Sequence, residues 1–392
     1  MNERARILLS TSLGHFVNDG FLVLFPILIV YYTRQGVSPA ILGGLAAAIS
    51  LLSGLLSTPI GAFADRTGNY GGLMILGLSV LVVSSLLYSA SFALPQLRLP
   101  LIVMSSALLG IGLGFYHQLG AAMLQLEYRD EAPRALGING SLGSLGRAAF
   151  PSVLVFLIVS LGPSLGLLSV AAYNALIIAA AALMLRGTRF EPRSSVQARA
   201  GPRGSAGLMA PVLPLVALVF VRAIFFNGVL TYVPTYLVDL YRSDVLMGAV
   251  LTISYATAIV GQPLFGRLTA RYGGLSMVVL TTVIPTVAFV AFLYVQVELL
   301  SLALFAVYSF FAMSGFPVLL GYVGQLVGRE DLSRANALVW GVGNMVGGSV
   351  GALIGGPLIS AVGISELMWI YAAFGAASLA LVPYLLRGNH GG

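Results

Sequence analysis

The sequence predicts an all-α membrane protein in which twelve transmembrane helices form two pseudo-symmetric six-helix bundles. Three observations support this prediction: the apolar composition, the number of apolar runs long enough to cross a bilayer, and an internal repeat. Of the 392 residues, 58% are hydrophobic and 8% are charged, and the mean hydropathy is +0.97. A soluble protein carries roughly a quarter charged residues. The composition therefore excludes an ordinary soluble enzyme, a secreted protein and a nucleic-acid-binding protein, despite the net charge of +7.

Twelve apolar runs have the length that a membrane helix requires, which is about 20 residues for a hydrocarbon core of about 30 Å. The runs are residues 7–32, 39–63, 71–93, 99–122, 133–161, 165–185, 210–238, 245–269, 275–296, 299–326, 333–361 and 365–386. The first run contains His15, Asn18 and Asp19 and lacks a small-residue cleavage pattern. We therefore expect a retained span there rather than a signal peptide.

Glycine spacing indicates where these spans pack closely, since small residues let membrane helices approach one another. Two stripes of glycines stand out in the fifth and eleventh runs. They are Gly140, Gly143 and Gly146, and Gly343, Gly347 and Gly351.

The positions of the arginines predict that both termini lie in the cytoplasm. All 20 basic residues are Arg, and with a cytoplasmic N-terminus fifteen of them fall in inside segments and three outside. Cytoplasmic loops of membrane proteins are enriched in positive charge, so this distribution supports both the orientation and an even number of spans. The three outside residues are Arg34, Arg98 and Arg242.

The chain repeats itself in three places at nearly one offset. Residues 125–135 recur at 325–335 with Gln, Leu, both Arg and Ala identical. Residues 19–34 are echoed at 227–242, and residues 61–68 at 266–273. Two parallel six-span repeats follow, which predicts a first bundle at 1–186, a cytoplasmic linker at 187–209 and a second bundle at 210–392.

The segment 61–70, which reads GAFADRTGNY, resembles the signature of the loop between spans 2 and 3 in the major facilitator superfamily. A weaker copy stands between spans 8 and 9, where that family has one. Paired charges and turn-forming glycines at the cytoplasmic ends of helices can hold one face of a transporter shut, and an ordinary charged turn is the alternative. The gate residues expected on this basis are Gly61, Asp65, Arg66, Gly68, Gly266, Arg271 and Gly273.

Within that superfamily, two further motifs are similar to exporters of the fosmidomycin-resistance type, a branch of drug/proton antiporters. The first motif is His15-x-x-Asn18-Asp19 on span 1, and the second is residues 114–117 on span 4, which read GFYH. The branch usually follows the span 4 histidine with Pro-Glu, and residues 118–119 are Gln-Leu here. The resemblance implies proton-coupled efflux of a small compound through the cytoplasmic membrane of a prokaryote.

Five ionisable side chains fall at or near the middle of the predicted spans, where a charge costs several kcal/mol and usually marks a transport pathway. They are His15, Asp19, His117, Arg147 and Arg222. We expect Asp19, with His15 and His117, to form the proton-coupling site, because a buried carboxylate and imidazoles can load and release a proton. The alternative is a set of structural polar contacts between helices. Two His and one Asp without a further cluster do not predict a metal site.

Two buried arginines against one buried acid predict a positive cavity that favours an anionic substrate, since guanidinium binds carboxylate and phosphate bidentately. The alternative is that Arg147 pairs with Asp19 while Arg222 snorkels or stacks on Tyr232 or Phe225. The predicted substrate-binding residues are Arg147, Arg222, Asn18, Tyr116, Asn139, Asn227 and Tyr232.

These observations predict a monomeric proton-coupled secondary transporter for a small organic, anionic or amphiphilic compound, working as an efflux antiporter without a cofactor. Proton symport of a carboxylate or sugar acid is the second possibility. An intramembrane enzyme would need a catalytic motif such as HExxH or GxSxG in a span, and none occurs. An ATP-driven pump is disfavoured because the chain has no Lys for a phosphate-binding loop. A non-transporting receptor or scaffold on the same fold would accumulate no substrate in vesicles.

Overall fold

The computed structural model describes residues 2–188, 190–191, 206–295, 297–328 and 331–388, and within these ranges every regular element is a helix. Of the predicted linker at 187–209, residues 189 and 192–205 lie outside the described ranges. The helices of the first half are α1 (Glu3–Leu22), α2 (Leu24–Arg34), α3 (Pro39–Thr67), α4 (Tyr70–Ala93), α5 (Arg98–Tyr128), α6 (Ala132–Leu161) and α7 (Pro163–Met184).

The second half has nine α-helices and one π-helical stretch within the described ranges. They are α8 (Ala206–Tyr241), α9 (Asp244–Tyr272), α10 (Gly274–Tyr294), α11 (Glu298–Met313), α12 (Gly315–Leu326), α13 (Leu332–Asn336), the π-helical stretch Ala337–Val346, α14 (Gly347–Val362), α15 (Ile364–Leu379) and α16 (Val382–Gly388).

Among the described residues, eleven stretches are long and apolar enough to cross a membrane. One of them, Pro95–Leu161, is 67 residues long. It contains both α5 and α6, which have 31 and 30 residues and are joined by the short 3₁₀ turn Arg129–Glu131. The chain is thus an all-helical, multi-pass membrane protein.

Prolines explain three of the helix ends. Pro26, Pro317 and Pro383 each lack the backbone N–H that would bond to the carbonyl four residues earlier. Those carbonyls belong to the last residues of α1, α11 and α15. The predicted first and tenth spans are therefore each broken into two helices.

The chain folds into two compact units. The first unit comprises Met1–Val37, Ala48–Arg199 and Leu237–Thr252. The second comprises Ser38–Ala47, Ala200–Tyr236 and Ile253–Gly392.

In the first unit, α1 packs against α4, α5, α6 and α7, and a glycine sets its approach to α6. A Cβ at Gly146 would overlap the carbonyl oxygen of Phe16. Gly143 of the same helix lies against the His15 ring, whereas Gly140 faces open space. Two of the three glycines in the predicted stripe are therefore close-packing positions.

The second unit uses the same packing between α14 and α8. A Cβ at Gly347 would overlap the Phe220 carbonyl oxygen, and one at Gly351 would overlap that of Ile224. Gly343, in the preceding π-helical stretch, contacts Val219. Equivalent positions of the two predicted repeats thus carry equivalent backbone contacts.

The segment Leu237–Thr252 is held in the first unit by polar contacts. Arg34, at the end of α2, donates two hydrogen bonds of 2.6 and 2.7 Å to the two carboxylate oxygens of Asp244. The Ser152 hydroxyl donates to the Gly248 carbonyl at 3.2 Å. These contacts fix the start of α9 to α2 and α6.

A glycine substitution tests the packing of α1 on α6. Gly146→Ala places a methyl group against the Phe16 carbonyl, and overpacking of this kind costs about 1–3 kcal/mol. We expect a lower thermal unfolding temperature of the purified protein in detergent. The matched control is Gly140→Ala on the same helix, where the added methyl meets open space and alanine is the better helix former. Equal melting temperatures for the two variants would contradict the close approach.

Candidate functional site

Four ionisable side chains meet inside the first unit. His15 and Asp19 are four residues apart and therefore share one face of α1. His117 reaches the same point from α5, and Arg147 reaches it from α6. The structure thus brings together four of the five ionisable residues that the sequence places within spans.

Asp19 lies at the centre of this cluster, and its side chain is only 1% exposed. Its Oδ2 accepts a hydrogen bond from Nη2 of Arg147. Its Oδ1 lies 3.5 Å from Nε2 of His15 and 3.7 Å from Nε2 of His117. The carboxylate therefore has a charge partner on one oxygen and two imidazoles on the other.

This pairing allows a carboxylate to remain charged away from water. Burying an isolated ion costs several kcal/mol, and removing one partner of a buried pair costs about 3–5 kcal/mol. Arg147 compensates Asp19 in this way. The pairing of Arg147 with Asp19, one of the two expectations for this arginine, is present in the structure.

A chain of hydrogen bonds holds the His15 ring. Its Nδ1 lies 2.7 Å from Oδ1 of Asn139, and the amide nitrogen of Asn139 donates to Oη of Tyr116 at 2.8 Å. The Tyr116 hydroxyl donates in turn to the Thr11 carbonyl at 2.7 Å. Both Asn139 and Tyr116 are buried, so their polar groups serve the helix bundle instead of facing solvent.

Asn18 is fully buried beside the cluster. Its Nδ2 lies 3.3 Å from Oδ1 of Asp19 and 3.4 Å from Nε2 of His117. Its own Oδ1 has no hydrogen-bond partner among the described residues. The buried carboxylate therefore also has an amide donor.

The exposed fraction of the side chains rises from the centre of the cluster outward, from 1% for Asp19 to 14% for His15, 18% for Arg147 and 55% for His117. Asp19 is therefore the innermost group of the cluster, the three basic side chains surround it, and His117 is the outermost of them.

The two imidazoles and the carboxylate offer ligand atoms within 4.8 Å of one another. This is a set of ligand types that divalent transition metals use. The Arg147 guanidinium, bound to the same carboxylate, adds a positive charge that opposes a second cation.

The fifth ionisable residue, Arg222, belongs to the second unit and is 3% exposed. Its Nη1 donates to the Thr282 hydroxyl at 3.1 Å, and its guanidinium carbon lies 5.4 Å from the centre of the Phe226 ring. The sequence anticipated stacking on Tyr232 or Phe225, and the ring that the guanidinium covers belongs to Phe226. Among the described residues, no acid forms an ion pair with this arginine.

Two predicted substrate-binding residues of the second unit form hydrogen bonds to backbone carbonyls of the same unit. Tyr232 is fully buried and donates to the Ala352 carbonyl at 2.6 Å. Asn227 donates to the Ala223 carbonyl at 3.3 Å and packs beside Gly348.

The predicted gate residues sit at helix ends. Asp65 accepts a 2.5 Å hydrogen bond from Oη of Tyr70. Gly68 and Gly273 have φ values of +68° and +86°, a backbone conformation that favours glycine. Within the described part of the chain, Asp65 forms no ion pair with Arg66.

The other three predicted gate positions are the remaining members of the two loop motifs. A Cβ added to Gly61 would lie 3.5 Å from the Gln118 side chain, and one added to Gly266 would lie 3.9 Å from Pro317. Arg271 covers the ring of its neighbour Tyr272 at 5.2 Å.

Two contact residues, Thr282 and Phe226, were missed from the sequence. Thr282 belongs to a polar series in an otherwise apolar helix, with Thr281 and Thr286. This group of threonines is the sequence feature that could have predicted a polar contact on this helix. No comparable signal distinguishes Phe226 from the neighbouring Phe225.

Comparison with known proteins identifies the family. The sequence model of the Major Facilitator Superfamily matches residues 7–298 and 242–391. No curated relative matches this chain in sequence.

Solved structures with the same fold are membrane transporters. A POT family transporter in complex with 5-aminolevulinic acid has a TM-score of 0.74 at 12% identity, covering 98% of this chain and 95% of that one. A nucleoside transporter has a TM-score of 0.73 at 16% identity, covering 99% and 100%. A D-xylose–proton symporter has a TM-score of 0.73 at 15% identity, covering 97% and 96%. The fold and the family indicate a transporter and not an enzyme, and this chain belongs to the Major Facilitator Superfamily.

Proposed function

We propose that this protein is a proton-coupled secondary transporter that moves a small organic, anionic or amphiphilic compound by alternating access. The observation that carries the proposal is the Asp19 carboxylate, which is 1% exposed and surrounded by Arg147, His15 and His117. We also propose twelve spans with both termini in the cytoplasm, as a monomer in the cytoplasmic membrane of a prokaryote.

The cluster has the chemistry that proton coupling requires. A secondary transporter uses a gradient only if proton binding changes the relative stability of its conformations. In the first unit, an added proton alters the balance between one carboxylate and three basic groups that share a poorly hydrated site. Since charge interactions are strong where water is scarce, a single proton there has a large effect on which helix contacts are favourable.

The anionic substrate class is supported by Arg222. A buried guanidinium is costly without a counterion, and the Thr282 hydroxyl and Phe226 ring supply only partial compensation. A carboxylate, phosphate or phosphonate would complete its hydrogen bonds with a full charge. Arg147, in contrast, is already neutralised by Asp19.

The direction of coupling has two candidates. Efflux by antiport follows from the resemblance of the residue patterns around His15 and His117 to drug/proton antiporters. Symport is favoured by the charge of the cluster, because a proton loaded beside the Asp19–Arg147 pair adds a positive charge that attracts an anion. Proton and anion would then bind cooperatively, and each would raise the affinity for the other by the same factor.

The first test replaces the buried acid. A thermal-shift screen of organic anions and phosphonates at two pH values supplies a ligand, which is then loaded into proteoliposomes in labelled form. We expect Asp19→Asn to abolish accumulation driven by a pH gradient and to retain counterflow exchange, because an amide lacks the negative charge that favours a proton in the cluster. The polarity of the gradient that drives the unmodified protein distinguishes antiport from symport.

The matched control for that experiment is Asp239→Asn, since Asp239 is 45% exposed and pairs with Arg242 one turn away. This variant should transport normally. Full uphill transport by the Asp19 variant would reject the coupling role, and a loss of counterflow as well would indicate damage to the bundle.

The second test concerns Arg222. We expect Arg222→Gln to weaken binding of the anionic ligand about 10- to 100-fold, since a hydrogen bond to a charged group contributes about 1.5–3 kcal/mol. Binding of the neutral ester or amide of that ligand should change little. Arg242→Gln is the control, because that side chain is 81% exposed. Equal losses for the charged and the neutral ligand would argue that Arg222 serves packing.

A further inference from the structure

We propose that His15 is the residue that carries the coupled proton, at its Nε2 atom, and that Asn139 and Tyr116 are positioning residues that select this atom. The inference rests on the proposed proton coupling and names the group within the cluster that is loaded. Its basis is a hydrogen-bond chain that runs from the backbone of α1 through Tyr116 and Asn139 to the His15 ring.

The chain starts at the backbone of α1. A carbonyl oxygen can only accept, so the 2.7 Å contact between Oη of Tyr116 and the Thr11 carbonyl holds the single hydroxyl hydrogen of Tyr116. The hydroxyl also lies 3.2 Å from Oδ1 of Asn139, a longer contact than the one to the Thr11 carbonyl. With its hydrogen directed at Thr11, the hydroxyl oxygen accepts from the amide nitrogen of Asn139 at 2.8 Å. This fixes the orientation of the Asn139 amide, with Oδ1 directed at the His15 ring.

The orientation of the Asn139 amide determines which ring nitrogen of His15 carries the hydrogen. Its Oδ1 is an acceptor and lies 2.7 Å from Nδ1 of His15, so Nδ1 carries a hydrogen. In the neutral imidazole only one nitrogen is protonated. The remaining nitrogen, Nε2, therefore presents a lone pair to Oδ1 of Asp19 at 3.5 Å.

Two electron-rich atoms facing each other in a buried site are unfavourable until a positive charge enters between them. A proton from the aqueous phase that bonds to Nε2 converts the pair into an imidazolium donating toward a carboxylate. No other bond forms or breaks, and the cluster gains one positive charge. Asp19 stays ionised throughout, held by Arg147 on its other oxygen.

The second imidazole is less suited to this role. Nδ2 of Asn18 must donate toward Oδ1 of Asp19, and it also lies 3.4 Å from Nε2 of His117. That contact favours a bare Nε2 on His117. His117 is 55% exposed whereas His15 is 14% exposed, so a proton on His15 acts in the less hydrated part of the site and has the larger effect.

The titratable and charged side chains near Nε2 of His15 come from α1 itself and from two helices packed against it. Asp19 lies on the same helix, Tyr116 and His117 lie on α5, and Arg147 lies on α6. The helices α4 and α7, which also pack on α1, contain no charged residue.

The test is nuclear magnetic resonance of the full chain in detergent or nanodiscs with nitrogen-15-labelled histidine, which needs no substrate. The protein has three histidines. His390→Gln removes the one outside the described ranges, and His117→Gln assigns the remaining signals. We expect neutral His15 to carry its hydrogen on Nδ1 and the protonated ring to carry the second hydrogen on Nε2.

The positioning role is tested in the same spectra. Asn139→Leu removes the acceptor and should lower the ratio of the Nδ1–H to the Nε2–H form of neutral His15 about tenfold. Tyr116→Phe should lower it in the same direction by freeing the Asn139 amide to rotate. Asn139→Asp keeps an acceptor oxygen and should retain the Nδ1–H form. Ser141→Ala, on the exposed face of α6, is the control.

Three results would overturn the inference: a hydrogen on Nε2 of neutral His15 in the unmodified protein, no second proton on His15, or a tautomer ratio that Asn139→Leu leaves unchanged. If any of these accompanied a loss of uphill transport in Asp19→Asn, the proton coupling would stand and the assignment to His15 would fall. If His15 behaved as expected while the unmodified protein accumulated no ligand under a pH gradient of either polarity, the proposed function itself would fail.

Discussion

The ion pair between Asp19 and Arg147 is the constraint on which the arrangement of the first unit depends. A carboxylate inside an apolar bundle is tolerated only where a cation meets it with good geometry. That requirement fixes the register of α6 against α1. The glycine at position 146 makes this register attainable, because it lets the α6 backbone approach the Phe16 carbonyl. Close packing and charge compensation therefore specify the same helix pair, and neither would be satisfied by a shifted register.

The two halves of the chain share their packing and differ in their charge. Gly146 and Gly347 each lie over a carbonyl oxygen of the first helix in their own half. The position that corresponds to Asp19 is Asn227, whose amide bonds to its own helix. Among the described residues, the buried cation of the second unit, Arg222, has no acid beside it. The backbone contacts of the repeat are retained, while the titratable cluster belongs to the first half alone in the part of the chain that the structure describes.

In the function proposed here, a proton and an organic anion are linked through charge. In that proposal, loading a proton on the Asp19 cluster raises the positive charge of the first unit, and binding an anion at Arg222 lowers that of the second. Thermodynamic coupling between the two ligands is reciprocal, so the sign of their interaction decides whether they travel together or in opposite directions. In the further proposal the proton binds at one atom, Nε2 of His15. The uncharged side chains of Asn139 and Tyr116 set the orientation of that ring.

Hydropathy and residue spacing along one chain were enough to predict the apolar spans, the repeat, the family resemblance and the five ionisable residues near the middle of spans. Helical spacing also placed His15 and Asp19 on one face. The partners across helices follow from the tertiary fold. The hydrogen bond between His15 and Asn139 and the one from Arg222 to Thr282 depend on which helices are neighbours and at what height. Periodicity gives the direction of a side chain from its own helix, and it contains no information about the helix that it meets.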